Sequence, residues 1–88
     1  MKETMEMTDL FKVASLLCVG AELKGLKIVD RGMALFEVEA YDLHNLEKGY
    51  ANGKVFVNAL ELKEKLNLLK DVMFAKLREQ ETPKTFVR

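Results

Sequence analysis

The sequence predicts an α+β fold, and three patterns carry this prediction. Apolar residues recur at helical spacing near residues 9–19 and again in a long stretch after residue 58. Between them, residues 25–39 alternate in the period of two that is typical of strands, on both sides of a tight turn. The predicted order is a short helix, a β-hairpin, a short helical segment and a long C-terminal helix.

The first predicted helix spans about residues 9–19. Thr8 is a suitable N-cap, and Asp9 places negative charge in the first turn, where the helix dipole favours it. Gly20 fits a left-handed C-cap. The apolar face comprises Leu10, Phe11, Ala14, Leu17 and Cys18.

The predicted hairpin has its turn at Asp30-Arg31-Gly32, where Gly supplies a positive φ. We expect Phe36 and Val38 of the second strand to face the core. Leu26 and Ile28 of the first strand point to the same face, and Lys24 flanks this row of apolar residues. Met33 and Leu35 make the opposite face apolar as well, so we expect both faces of the hairpin to be covered.

The long helix is the clearest element. Asn58 and Glu61 form an N-cap pair of the capping-box type, and Pro83 lies beyond the expected end. Before this helix, residues 42–49 are spaced for a short helix. Val55–Val57 fits either a short third strand or an apolar lead into the long helix. The main apolar stripe comprises Leu62, Leu66, Leu69, Met73 and Leu77, and is broadened by Leu60, Leu68, Val72 and Phe74.

These elements fit one domain in a chain of 88 residues. The expected core comprises Leu10, Phe11, Ala14, Leu17, Leu26, Ile28, Phe36, Val38, Leu62, Leu66, Leu69 and Met73. The expected divisions are a flexible N-terminal arm (residues 1–7), the α+β domain (residues 8–80) and a flexible C-terminal tail (residues 81–88).

The composition restricts the classes of function. Fourteen basic residues balance fourteen acidic ones, so whole-molecule attraction to nucleic acid or to anionic membranes is not indicated. One cysteine excludes an intramolecular disulfide, and no apolar run approaches the roughly 20 residues that span a bilayer. We therefore expect a cytoplasmic protein with no membrane partner.

The residues capable of chemistry form no recognisable site. His44 is the only histidine, and its nearest carboxylates in sequence are Asp42 and Glu47. Cys18 lies on an apolar helix face, where a thiol behaves as a small hydrophobe. The glycines form neither a dinucleotide fingerprint nor a phosphate loop. We expect no enzymatic activity, cofactor, metal or small-molecule substrate.

Two segments resemble a small family of uncharacterised bacterial and phage domains. They are TDLFKVASLLCVGAELKGLKIVDRGMALFEVE, residues 8–39, and YANGKVFVNALELKEKL, residues 50–66. The family shows a Thr-started helix, a hairpin rich in Phe and Val, and a Tyr-x-Asn-Gly segment leading to a helix. The resemblance implies a helix–hairpin–long helix fold and a mobile-element setting. It implies no catalytic residue.

Two functions are compatible with these patterns. The leading hypothesis is a non-enzymatic protein-interaction module that self-associates, with a dimer favoured, because unpaired edges and large apolar patches are normally covered. Its candidate residues are Met33, Leu35, Leu68, Val72, Phe74 and Leu77. The alternative is a nucleic-acid-associated accessory protein of a phage or mobile element, with a basic patch made of Lys12, Lys24, Lys27 and Arg31.

Overall fold

The computed structural model describes residues 2–29 and 32–85, with side chains described through residue 79. The described residues form a three-stranded antiparallel sheet and three helices, which confirms the α+β prediction. The elements are β1 (Lys2–Met7), α1 (Leu10–Cys18), β2 (Glu22–Val29), β3 (Met33–Tyr41), α2 (Leu43–Ala51) and α3 (Ala59–Thr85).

Strand β3 lies in the centre of the sheet, in the order β1-β3-β2. Its side chains alternate between buried and accessible positions, as the period of two requires. The inner face carries the buried residues Ala34, Phe36, Val38 and Ala40. Phe36 and Val38 are therefore core residues, as predicted.

The core lies between this inner face and the helices. Its largest fully buried side chains come from β3 and from all three helices: Phe36, Leu16, Leu43, Leu69, Val13 and Val38. The predicted stripe on α3 is oriented correctly, since Leu62, Leu66 and Met73 pack against this core while Leu69 is fully buried.

Residues 2–7 form β1 rather than a flexible arm. Met5 is opposite Val38 and Met7 is opposite Phe36, and Met7 is only 5% exposed. The carboxylate of Glu3 also accepts a hydrogen bond from the backbone N–H of His44 at the start of α2, at 2.9 Å. The arm expectation is wrong because the strand is short and lacks β-branched apolar residues, so its alternation is weak.

Helix α1 begins one residue later than expected. Asp9 is the N-cap, and its side chain accepts from the backbone N–H of Lys12 at 3.2 Å, whereas Thr8 is exposed. Phe11 is 58% exposed and is not a core residue, because the buried face is centred on Val13 and Leu16. The helix ends in a Schellman arrangement as predicted, with positive φ at Gly20.

A β-bulge changes the orientation of Lys24. The register of β2 against β3 shifts between Leu23 and Gly25, so Lys24 turns away from the core row and bonds with carboxylates on the outer face. Gly32 has the expected positive φ of 76°. Asp30 and Arg31, which complete the predicted turn, lie outside the described residues.

The second half of the chain contains α2, a connector and α3. Residues 54–58, including Val55–Val57, have irregular backbone and lead into α3, so the third strand of the sheet is β1. The side chain of Asn58 accepts from the backbone N–H groups of Leu60 and Glu61, which confirms its capping role. Helix α3 continues to Thr85, past the predicted end at residue 80, so the tail expectation is wrong for residues 81–85, and residues 86–88 lie outside the described chain.

Substitution Met7→Ala tests whether β1 belongs to the fold. Because Met7 is buried against Phe36, we expect a loss of about 2–5 kcal/mol in the free energy of unfolding. The exposed Thr4→Ala on the same strand is the matched control, with an expected change within about 0.5 kcal/mol. Urea unfolding measures both, and equal small effects would contradict a folded β1.

Candidate interaction surface

The outer face of the sheet carries a set of ion pairs. Lys24 Nζ lies 3.3 Å from a carboxylate oxygen of Glu22 and 3.7 Å from one of Glu39, and Lys2 approaches the same two carboxylates. The hydrogen bond and negative charge of Glu22, followed by the charge of Glu39, raise the pKa of Lys24. The charges at this end of the face therefore neutralise one another.

The four residues of the predicted basic patch do not form one surface. Lys27 bonds across β3 to Glu6 on β1, with an Nζ–O distance of 3.2 Å. Lys12 lies on α1, where its ammonium bonds to Glu47 of α2 at 2.6 Å and lowers the pKa of that carboxyl. Arg31 lies outside the described residues. Lys12, Lys24 and Lys27 thus each have a carboxylate partner within the chain.

The six candidate self-association residues fall on two separate surfaces. Met33, which is 52% exposed, and the half-buried Leu35 lie on the outer face of the sheet. The other four lie on α3: Leu68 and Phe74 are about half exposed, at 48% and 49%, whereas Val72 and Leu77 are half-buried.

Helix α3 is much longer than the surface on which it packs. Its 27 residues correspond to about 40 Å, while α1, its main neighbour, has nine residues and a length of about 14 Å. Strand β2 provides a second contact. Among the described side chains of α3, only Leu69 is fully buried. Most of this helix surface has no partner in the described chain.

The sequence patterns gave no surface role to two apolar residues that are exposed next to the start of α3. Phe56 in the connector is 86% exposed, and Leu60 in the first turn is 64% exposed. Val55-Phe56-Val57 was interpreted as either a strand or a lead into the helix, and neither interpretation gave Phe56 a surface role. The sequence feature that could have indicated a surface role for Phe56 is the run of three apolar residues between a turn and a helix cap.

The two free edges of the described sheet are poorly suited to accept another strand. Strand β1 has only six residues, of which Lys2, Glu3 and Glu6 are charged. Strand β2 has the bulge at Lys24 and a second lysine, Lys27. Short strands, bulges and charged side chains are the usual means by which proteins prevent edge-to-edge pairing.

Cys18 and His44 lie on different helices, α1 and α2, and His44 adds a smaller effect to that of Lys12 in lowering the pKa of Glu47. Burial and the negative charge of Glu61 raise the pKa of the Cys18 thiol, against an opposing effect of Lys65, so the thiol is largely protonated at neutral pH. No group of three or more His, Cys, Asp or Glu side chains in the described chain could hold a metal ion. None of the described helices is long and apolar enough to cross a membrane.

Comparison with models of known protein families, with curated proteins and with solved structures gave no match. The resemblance to bacterial and phage domains therefore stays a prediction.

The ion pair between Lys12 and Glu47 predicts a pH effect. In the folded protein, the pKa of the Glu47 carboxyl lies below the ordinary value of 4.5. The stabilisation that the Glu47 carboxylate provides is therefore present above pH 4.5 and is lost as the pH falls through the pKa of the folded state. We expect Glu47→Gln to be less stable than wild type near neutral pH, with the difference shrinking in acid. Urea midpoints at several pH values measure this, with the exposed Glu37→Gln as control. A difference that persists unchanged below the ordinary pKa would contradict the assignment.

Proposed function

We propose that this protein is a non-enzymatic interaction module that self-associates through α3. The observation that carries this proposal is the mismatch between a helix of 27 residues and the short α1 on which it packs. Leu60, Leu68 and Phe74 are exposed on that helix. Large exposed apolar surface on a small domain favours an interface, since association removes it from water.

The helix is a better candidate than the sheet. Both sheet edges carry charges, and one carries a bulge, which disfavours pairing with a further strand. The lysines on the outer face of the sheet already have carboxylate partners, and a contact there would require these groups to be desolvated. Met33 and Leu35 are therefore weaker candidates than Leu68 and Phe74.

A second copy of the chain is the partner that the charge balance favours. The formal net charge is zero, so two copies experience little overall repulsion as they approach. A small domain also gains proportionally more from additional burial than a large one. The dimer and the cytoplasmic location expected from the sequence stay predictions.

The nucleic-acid alternative receives no support from the three described lysines of the predicted basic patch. A nucleic-acid interface needs cations that are available to phosphate groups. Each of Lys12, Lys24 and Lys27 instead bonds to a carboxylate, and Lys12 lies on a different element from the other two. The phage or mobile-element setting likewise rests on the sequence resemblance alone.

Substitution Phe74→Asp tests the proposed interface. We expect wild-type protein to increase in mass with concentration in light scattering on a sizing column. The variant should need a roughly tenfold higher concentration to do so, because it places a charge in the apolar contact. Met33→Asp, at a similarly exposed apolar residue on the sheet, should leave the mass profile unchanged. A wild-type protein that stays monomeric throughout would contradict self-association.

A further inference from the structure

The surface of α3 divides into three longitudinal faces. One is the stripe that packs on the core. A second, here called the acidic face, repeats at spacings of three and four and comprises Glu61, Glu64, Leu68, Asp71, Ala75 and Glu79. A third, here called the basic face, has the same spacing and comprises Lys63, Asn67, Lys70, Phe74 and Arg78. On these two outward faces the charges are therefore separated by sign. Lys65 and Lys76 lie between the acidic face and the core stripe, where Lys76 Nζ is 3.8 Å from a carboxylate oxygen of Glu79.

Both of these faces are accessible and each contains an apolar residue. Every residue of the acidic and basic faces is exposed. Leu68 is 48% exposed in the middle of the acidic face, and Phe74 is 49% exposed on the basic face. Each face therefore combines one sign of charge with apolar surface that association could bury.

A two-fold symmetric contact centred on the acidic face or on the basic face of α3 would place like charges together. If the acidic face met its own copy, Glu64 and Asp71 would face carboxylates, and the basic face would bring Lys63 and Lys70 against cations. A contact centred on the border between the acidic and basic faces also brings like charges together. In a parallel pair of helices, Glu64 and Asp71 of one copy lie next to Glu64 and Asp71 of the other copy. In an antiparallel pair, the two acidic faces are adjacent to each other, and so are the two basic faces.

We propose that the acidic face of α3 on one copy packs against the basic face of α3 on the next. This inference rests on the proposed function and specifies its geometry. Opposite charges then meet along the helices, and Leu68 of one copy approaches Phe74 of the other. Apolar burial provides the attraction, and the charges select which faces meet.

Such a contact is heterologous, because each copy uses two different surfaces. Heterologous contacts form rings when the rotation closes and open chains when it does not. The assembly therefore extends beyond the dimer that the sequence favoured. The contact also weakens as salt is added, since exposed charges are screened over roughly 10 Å at 0.1 M.

Charge reversal on each face tests this arrangement in the full chain. One variant, K63E/K70E, gives the basic face a net negative charge, and a second, E64K/D71K, removes the net negative charge of the acidic face while the basic face stays basic. All four positions are exposed, so we expect both variants to fold, and thermal unfolding followed by circular dichroism checks this. Glu37→Lys on the outer sheet face is the control for a change in net charge.

We expect each variant alone to associate about tenfold more weakly than wild type, while the control stays unchanged. An equimolar mixture of the two variants should recover association, because each acidic copy then finds basic neighbours. If K63E/K70E associates like wild type, or if the mixture fails to recover, the heterologous contact is wrong while self-association stands. A monomeric wild type would instead overturn the proposed function itself.

Discussion

The burial of one face of β3 is the constraint on which the rest of this structure depends. Phe36 and Val38 are essentially inaccessible to water, and β1 and β2 pair on either side of the strand that carries them. The helices then cover that single face. A chain of this size can bury only about 60–65% of the surface that it exposes when unfolded. Once the inner face is covered, the described part of the chain offers little further apolar surface on which the rest of α3 could pack.

The outer face of the sheet and the outer surface of α3 differ in how their charged side chains are arranged. On the sheet, lysines from β1 and β2 pair with glutamates from all three strands. On α3, the charges of the acidic face and of the basic face are separated by sign, and apolar side chains lie among them. Lys2, Lys24 and Lys27 on the sheet each pair with a carboxylate from a sheet strand, whereas each outward face of α3 presents mostly one sign of charge, and this difference is why we assign the interaction to α3.

The sequence predicted the local features well and the long-range features poorly. The alternation around Phe36, the Asn58 cap and the Leu62–Leu69 stripe are local patterns, and each was correct. Strand β1 depends on pairing with residues 29 to 39 positions away, and its six residues have little strand propensity of their own. The basic-patch prediction did not anticipate the carboxylate partners, because bonds such as Lys12–Glu47 exist only once the elements have packed. The orientation of Lys24 depended on a bulge that the sequence pattern did not indicate.

Hydrogen–deuterium exchange across α3, compared at low and high protein concentration, tests the central claim most directly. Amides of a helix without a tertiary partner open locally and exchange quickly, whereas those in an interface are protected. The account predicts that protection of α3 beyond Met73 rises with concentration, while protection of β3 stays constant. Protection of that part of α3 that is the same at every concentration would contradict the claim that a second copy covers this helix.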